Sequence, residues 1–384
     1  MSPKPRREVR VATPPQPSWI PRLQHALPAA VLLVYTVLFY VSHATYKRIA
    51  NEDSWIEWLT VAAFLTASLA FAILAARRGW RDGWFAAGLA LFCFIIAGEE
   101  ISWGGRILSL IPPEIFLQNN FQEETNVHNL VNAYMSPKWM NVTILFLWTI
   151  LLPFLHDLLP RMNVSSARTL LDKLRFFCPP LALMPWALVG IWLQWSYPME
   201  FTSEGVELMT GLIFFAAALP FVPRTRAVFA VLVAPLVLTA IVAFYQDAQG
   251  AANNPAKTAC AQAEVRAIAA AVEAGGATAK LFERSSVDQR LHYTIERGYI
   301  KPDIIQALDS VACAGVASVP RRHKYTVDPW GVAYWIYYSP EDSTEPVPAT
   351  VYSFGPNRKY DSRLGRLEGT DDIGASTKPL VPKP

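Results

Sequence analysis

The sequence is poor in charge and lacks the short motifs that mark many soluble enzymes. Only 17% of its 384 residues are charged and 52% are hydrophobic, whereas a soluble chain carries about a quarter charged residues. It contains no Cys-x-x-Cys pair, no phosphate-cradling glycine loop and no Ser-His-Asp order. The net charge is +3, and no basic stretch is interleaved with aromatic residues, which argues against a nucleic-acid partner.

The apolar residues fall in blocks, each near the ~20 residues that cross a bilayer. We predict an α-helical integral membrane bundle of about seven transmembrane helices, followed by a small C-terminal α+β domain. The predicted spans are Ala26–Ser42, Trp58–Ala76, Trp84–Gly98, Trp139–Leu159, Pro180–Tyr197, Val206–Val222 and Ala227–Tyr245. The first block also resembles a signal peptide, but its length and the six blocks after it favour an uncleaved span.

The same composition predicts the domain boundaries. Residues 1–25 form a disordered basic segment, residues 26–246 a polytopic membrane domain, residues 247–374 an extracytoplasmic domain and residues 375–384 a disordered tail. Arginine and lysine are concentrated before the first span and after the second, fourth and sixth spans. The positive-inside rule therefore predicts a multi-pass protein of a bacterial inner membrane, with a cytoplasmic N-terminus and a periplasmic C-terminal domain.

The C-terminal domain reads as soluble sequence. We predict helices at Cys260–Ala274 and Pro302–Val311, strands at Ala333–Tyr338 and Thr350–Phe354, and a polar loop over Gly355–Gly374. Cys260 and Cys313 are the only cysteines in this domain. Because the domain is expected to face an oxidising compartment, we predict that they form a disulfide between the first helix and the connection before the sheet.

Three motifs carry a resemblance to a known family. They are Asp328-Pro329-Trp330-Gly331 with Tyr334, then Tyr352-Ser353-Phe354-Gly355, and finally Asp371-Asp372-Ile373. Their order resembles the C-terminal domain of the major pseudopilin of type II secretion (the G-type). The resemblance implies an α+β fold and a calcium ion held by Asn357, Asp361, Asp371 and Asp372. The alternative is a loop that stabilises the domain without an ion. Since six spans precede the seventh, we expect a domain used for contact rather than for filament assembly.

The third predicted span ends in an unusual polar segment. Its pattern, EExSWGxR followed by NxQxExNxHN, resembles uncharacterised bacterial polytopic membrane proteins and implies no activity. The candidate site residues are Glu99, Glu100, Arg106, Glu124 and His128. Ionisable residues at membrane depth are costly and usually functional. The alternatives are a Glu99–Arg106 ion pair and a solvated acidic face.

Two residues of this segment have the spacing of a metal site. Glu124 and His128 are four residues apart and share one face of a helix. A carboxylate and an imidazole in that arrangement can hold a divalent metal that activates water. Arg106 could hold an anionic headgroup. Glu200, Glu204 and Glu207 form a further acidic helical face at the same predicted side of the membrane.

Two functions fit these predictions. The first is an envelope protein that presents its pseudopilin-like domain and its Glu/His/Arg cluster to a secretion-related or other envelope protein. The alternative is a membrane-embedded, metal-dependent hydrolase or transferase that acts on a lipid or a lipid-linked headgroup. A transporter ranks third, because the acidic residues lie at span ends rather than at the bilayer midplane.

Overall fold

The chain divides into two compact units. The computed structural model describes residues 19–50, 55–105, 113, 115–116, 125–127, 137–162, 165–195, 202–221, 225–251, 255–284, 286–311, 313, 316, 326–340, 345–356, 367 and 370–381. The first of the two units, which we name the bundle unit, comprises residues 1–100 and 131–240. The second, the tail unit, comprises residues 101–130 and 241–384. Residues 101–130, which the sequence analysis assigned to the membrane domain, thus group with the tail.

Helices make up the described part of the bundle unit. They are α1 (Trp19–Val41), α2 (His43–Ala50), α3 (Trp55–Arg78), α4 (Trp80–Glu100), α5 (Pro137–Ile144), α6 (Ser166–Lys173), α7 (Met184–Trp195), α8 (Thr202–Ala218) and the start of α9 (Arg226–Ala251). After α5 the same helical segment continues in π-helical turns at Leu145–Leu151 and Phe154–Leu158.

Within the described ranges, five helical segments are long and apolar enough to cross a membrane. They are Pro21–Val41, Trp55–Arg78, Arg81–Glu100, Lys138–Met162 and Val228–Tyr245. The fifth predicted span corresponds to a shorter apolar helix at Leu181–Trp195, and the sixth to α8, which has 17 residues. These helices are compatible with a multi-pass membrane protein, while the number seven stays a prediction.

The helix α8 lies at the centre of the bundle unit. Its buried side chains, among them Val206, Met209 and Phe214, point in all directions around its axis. It packs on α1, α3 and α7. The helices α3 and α4 form an antiparallel hairpin that turns at Gly79, whose φ of +75° suits a residue without a Cβ. The hydroxyl of Ser68 on α3 donates to the carbonyl of Ala90 on α4 at 2.8 Å.

The connections that follow the second and fourth spans meet at one end of the bundle unit. Arg175 lies 3.4 Å from the carboxylate of Asp82, and the indole of Trp84 donates to the carbonyl of Leu174 at 3.0 Å. We call this the arginine end. The opposite end, where α4 finishes at Glu100, is the carboxylate end.

The tail unit is an α+β domain. Its elements are α10 (Pro255–Ala271), α11 (Ala279–Phe282), β1 (Val287–Arg290), α12 (Leu291–Glu296), α13 (Ile305–Asp309), β2 (Trp335–Tyr338), β3 (Thr350–Ser353) and β4 (Ile373–Ser376). The strands form an antiparallel sheet in the order β1-β2-β3-β4. Tyr352 of β3 pairs with Trp335 on one side and Gly374 on the other.

A single core joins the helix α10 to the sheet. α10 packs across β3 and β4 and buries Val265 and Ile268 against Ile336 and Val351. Burial of such side chains is worth about 1.5–3 kcal/mol each, so this interface holds the domain together. The predicted first helix and the two predicted strands are present, with ends shifted by a few residues.

Two strands were not predicted from the sequence. β1 has the sequence VDQR and β4 the sequence IGAS, and neither has the run of β-branched or aromatic residues that predicts a strand. Consequently the predicted polar loop over Gly355–Gly374 is wrong at its end, because β4 begins at Ile373. The predicted helix at Pro302–Val311 is a 3₁₀ turn followed by the short α13.

Candidate functional sites in the bundle and the tail

An aromatic floor lies inside the bundle unit. The ring of Phe214 on α8 contacts three other rings, with centroid distances of 6.1 Å to Phe64 of α3, 5.4 Å to Phe92 of α4 and 4.0 Å to Trp148. The side chains that touch Phe214 thus face one common interior from three neighbouring helical segments.

Each of the three phenylalanines has a glutamate seven residues away on its own helix, towards the carboxylate end. These are Glu57 on α3, Glu99 on α4 and Glu207 on α8. Seven residues make almost two turns, so each glutamate lies about 10.5 Å beyond its phenylalanine and within about 20° of the same helical face. We call the three the glutamate layer. Glu99 is only 6% exposed, Glu57 and Glu207 are half-buried, and all three have interaction partners in the protein.

A buried tyrosine borders this layer. Tyr35 of α1 is 6% exposed, and its hydroxyl has no hydrogen-bond partner among the residues that the structure describes. Glu204 and Glu207 are close enough to interact with it electrostatically. Gly205 lies against the ring, since a Cβ there would approach Tyr35 Cε1 to 2.7 Å. A glycine at this point of α8 is what lets α1 bring the tyrosine beside the two glutamates.

Two amide side chains lie on the other side of α8. Gly190 of α7 lies against Leu145, since a Cβ there would be 3.2 Å from Leu145 Cδ1. The helix α7 and the helical segment that contains Asn141 and Leu145 are antiparallel. Gln194, one turn further along α7 than Gly190, is therefore level with Asn141. The oxygen of Asn141 accepts a hydrogen bond from the Thr210 hydroxyl at 3.1 Å. Gln194 is 5% exposed, and in the described part of the chain its Oε1 accepts no hydrogen bond.

The glutamate layer differs from the predicted cluster in its members. Glu99 and Glu100 lie in the last turn of α4 as expected, while Arg106, Glu124 and His128 lie outside the described residues. Neither Tyr35 nor Gln194 was predicted from the sequence as a site residue. The repeated seven-residue spacing of glutamate and phenylalanine on three apolar helices is the sequence signal that could have pointed to the layer.

The backbone takes a rare conformation directly after α4. Ser102, Trp103 and Gly104 have φ values of 47°, 53° and 80°, and left-handed non-glycine residues are uncommon. Ser102 is buried and accepts a hydrogen bond from the Asn126 side chain at 3.5 Å. Such strain persists only where the surrounding structure enforces it. We infer that contacts within the tail unit hold the Ser102-Trp103-Gly104 segment in this conformation.

A histidine and a cysteine share the arginine end. His156 lies 2.7 Å from Asp157 and 3.2 Å from Asp172. Burial raises the pKa of the Cys178 thiol to about 12, and the charges of Asp157 and Asp172 add to the shift. This thiol is therefore protonated and unreactive at neutral pH.

The motifs DPWG and YSFG form one hydrogen-bonded unit in the tail. The carboxylate of Asp328 is fully buried and accepts from the backbone N–H groups of Trp330 and Val332, both at 2.9 Å. Its other oxygen accepts from the Ser353 hydroxyl at 2.5 Å. The carboxylate is satisfied by three donors, so its role is to fix the turn against β3.

The predicted disulfide is confirmed. Cys260 of α10 and Cys313 are bonded, with their Cα atoms 5.0 Å apart. The enclosed loop contains β1, so the bond clamps α10 to the chain after the first strand rather than before the sheet. Glu264, one turn along α10, is fully buried, lies 3.8 Å from the Cys313 sulfur and accepts from the Tyr334 hydroxyl at 2.5 Å.

The predicted calcium ligands are only partly described. Asp371 and Asp372 precede β4, and Asp372 is buried. Gly355, with a φ of +68°, lies against the backbone carbonyl of Asp371, which brings the two ends of the intervening loop together. Asn357 and Asp361 lie outside the described residues. The calcium ion stays a prediction.

Comparisons with known proteins do not assign the chain to a family. A scan against protein-family models, a search of curated proteins and a search of solved structures each found no match.

Proposed function

We propose that this chain is a multi-pass protein of the bacterial inner membrane that holds its tail domain in the periplasm as a docking module for an envelope protein. The observation that carries the proposal is the Cys260–Cys313 disulfide. Structural disulfides persist in oxidising compartments and are rare in the cytosol. The arginine-rich connections at the opposite end of each span favour the same orientation.

The proposal includes seven spans and the orientation. Fusions of a periplasm-active reporter after Arg81, Arg168 and Arg226 should be inactive, and a fusion after Pro384 should be active. An active fusion after Arg168 together with an inactive one after Pro384 would show the opposite orientation. The disulfide would then no longer support a periplasmic tail.

We further propose that the tail domain is pseudopilin-like and belongs with secretion-related contacts. The helix α10 on an antiparallel sheet is the α+β arrangement that the resemblance implies. The Asp328 hydrogen bonds supply a physical reason for the two motifs to occur together. A calcium ion at Asp371 and Asp372 would further stabilise the loop before β4, and membrane lipids surround the spans.

The surface that we propose for a protein partner is the edge of the described sheet at β4. β4 is an edge strand in the described sheet, and Ser376 and Lys378 beside it are exposed. An edge strand offers unpaired backbone groups to which a partner strand can add. The envelope partner is therefore expected to contact β4 rather than the helical side of the domain.

Photo-crosslinking in intact cells tests this docking function. A photoreactive residue at Ser376 or Lys378 should capture one discrete envelope protein, identified by mass spectrometry. The matched control places the same residue at Glu283, which is exposed near α11. Equal capture of many proteins at all three positions, or of none at Ser376 and Lys378, would contradict docking at β4.

The glutamate layer supports the second candidate, a membrane-embedded metal-dependent hydrolase or transferase that acts on a lipid or lipid-linked headgroup. Carboxylates buried at the end of a membrane bundle are costly unless they are paired or serve an ion or a substrate, and they often mark functional sites. If this function holds, protein purified in detergent should turn over such a headgroup, and Glu99→Gln should abolish turnover while Glu283→Gln does not.

A further inference from the structure

The disulfide of the tail domain has a buried carboxylate beside it. Cys260 and Glu264 are four residues apart on α10 and therefore lie on one face of that helix. Cys313 reaches them from the chain after α13, and its sulfur lies 3.8 Å from Oε1 of Glu264. Each of the three side chains offers a ligand atom within 4.8 Å of the other two. Among the residues that the structure describes, this is the only group of three acidic, histidine or cysteine side chains with ligand atoms so close.

The oxidised cysteines do not use this carboxylate. The sulfur atoms of a disulfide carry no proton, so they cannot donate a hydrogen bond to Oε1 of Glu264. The cost of burying the carboxylate is offset by other contacts, among them a hydrogen bond at 2.5 Å from the Tyr334 hydroxyl to Oε2. That bond also fixes the orientation of the carboxylate. Oε1 therefore faces a sulfur atom with which it can interact favourably only after the disulfide is reduced.

The chemistry of the three side chains selects the kind of ligand. Two thiolates with one carboxylate suit zinc, whereas magnesium and calcium prefer oxygen ligands alone. Bond lengths of about 2.3 Å to sulfur and about 2.0 Å to oxygen place these two atoms about 3.5 Å apart in a tetrahedral zinc site. The observed 3.8 Å between Glu264 Oε1 and the Cys313 sulfur is close to that distance.

The two sulfurs must separate before they can bind the ion. Sulfurs that share a tetrahedral zinc ion lie about 3.8 Å apart, whereas the sulfurs of a disulfide lie about 2.05 Å apart. Reduction releases them, and rotation of one cysteine side chain about its Cα–Cβ bond then provides the additional distance. The Cα atoms of Cys260 and Cys313 can stay near their present separation of 5.0 Å.

We propose that the reduced tail domain binds one zinc ion through Cys260, Cys313 and Glu264. A dithiol reductant supplies two electrons and two protons to the disulfide and is itself oxidised to a disulfide. Zinc then displaces the two thiol protons and binds both thiolates together with Oε1 of Glu264. The hydrogen bond from Tyr334 to Oε2 is kept, because a carboxylate has about four lone-pair sites. Water takes the fourth position on the side of Cys313, which is only half-buried.

The metal would replace the covalent clamp. The disulfide joins residues 53 positions apart, and a zinc ion held by the same two cysteines closes the same loop. Zinc should therefore return to the reduced domain some of the stability that reduction removes. The site lies on α10 and does not include β4, so it goes beyond the proposed docking function and does not depend on it.

Zinc binding to the full chain in detergent tests the site. The protein is reduced with a phosphine under anaerobic conditions, stripped with a chelator and titrated with zinc chloride against a chromophoric chelator. We expect the reduced protein to bind one zinc ion more per chain than the oxidised protein. Titration with cobalt(II) chloride should produce the absorption band of thiolate-to-metal charge transfer. Glu264→Gln should weaken zinc binding about tenfold or more, whereas Glu283→Gln, an exposed change in the same domain, should leave it unchanged.

A cysteine variant separates binding from stability. Cys313→Ala lacks the disulfide just as the reduced wild type does, and it should lose the additional zinc ion. Hydrogen–deuterium exchange of the β3 amides should slow when zinc is added to the reduced wild type, and it should not change in Cys313→Ala. If Glu264→Gln does not fold, Tyr334→Phe, which keeps the ring but frees the carboxylate to turn, should weaken zinc binding several-fold.

The proposal is overturned by any of three results. These are equal zinc uptake by the reduced and oxidised proteins, equal affinity of Cys313→Ala and the reduced wild type, and a cobalt complex without the thiolate band. Unchanged affinity in a folded Glu264→Gln protein would also overturn it, because the carboxylate would then not be a ligand. None of these results concerns the edge of the sheet, so each of them leaves docking at β4 standing.

Discussion

Loss of the Cys260–Cys313 disulfide should unfold the tail domain at a much lower temperature than in the wild type. The two residues are 53 positions apart, and closing a loop of that length removes about 4 kcal/mol of chain entropy from the unfolded state. For a domain of this size, about 4 kcal/mol corresponds to a fall in Tm of roughly 10–20 °C. The double variant Cys260→Ala/Cys313→Ala should show this fall, and the wild type under a thiol reductant should match it.

The assay must report on the tail alone, because the two units need not unfold together. Hydrogen–deuterium exchange of the β3 amides, which lie in the middle of the sheet, meets that need. Cys178→Ala is the matched control, since it removes a free cysteine outside the tail. A double variant whose β3 protection stays within about 1 kcal/mol of the wild type would refute the reasoning and show that the α10 core alone holds the domain.

Three further predictions concern single side chains. Asp328→Ala should lower the free energy of unfolding of the tail by about 3 kcal/mol or more, because three buried donors lose their acceptor; chemical denaturation measures this, and a loss under about 1 kcal/mol would contradict it. Gly205→Ala should destabilise the bundle by about 1–3 kcal/mol through its contact with Tyr35, whereas Gly88→Ala, where a Cβ meets nothing within 4 Å, should be neutral or stabilising in thermal unfolding. Because the pKa of the Cys178 thiol rises from 9.0 to about 12, maleimide should label the folded protein about a thousandfold more slowly at pH 8 than it labels the unfolded chain. The stability that the protonated thiol contributes should be lost only as the pH rises above about 9. Fast labelling of the folded protein would show that the thiol is not buried.

The membrane helices of the chain could be predicted from the sequence, since they depend on local composition. Apolar blocks of about 20 residues predict membrane helices without knowledge of their neighbours. The α10 helix and strands β2 and β3 could be predicted for a similar reason, because their apolar periodicity is local. β1 and β4 could not, since VDQR and IGAS become strands only through pairing with β2 and β3, and strand propensity depends on such context.

The sequence by itself determined the class of protein, the disulfide and the presence of carboxylates where α4 ends. Each of these depends on composition, on cysteine number or on position along a helix. Only the tertiary structure decided which carboxylates lie at a similar level on neighbouring helices. Glu57 and Glu207 are 150 positions apart in the chain, and they belong to one layer because Phe64 and Phe214 pack together two turns below. That contact depends on which helices lie side by side, and helix neighbours are chosen by packing between distant segments, which no local pattern encodes.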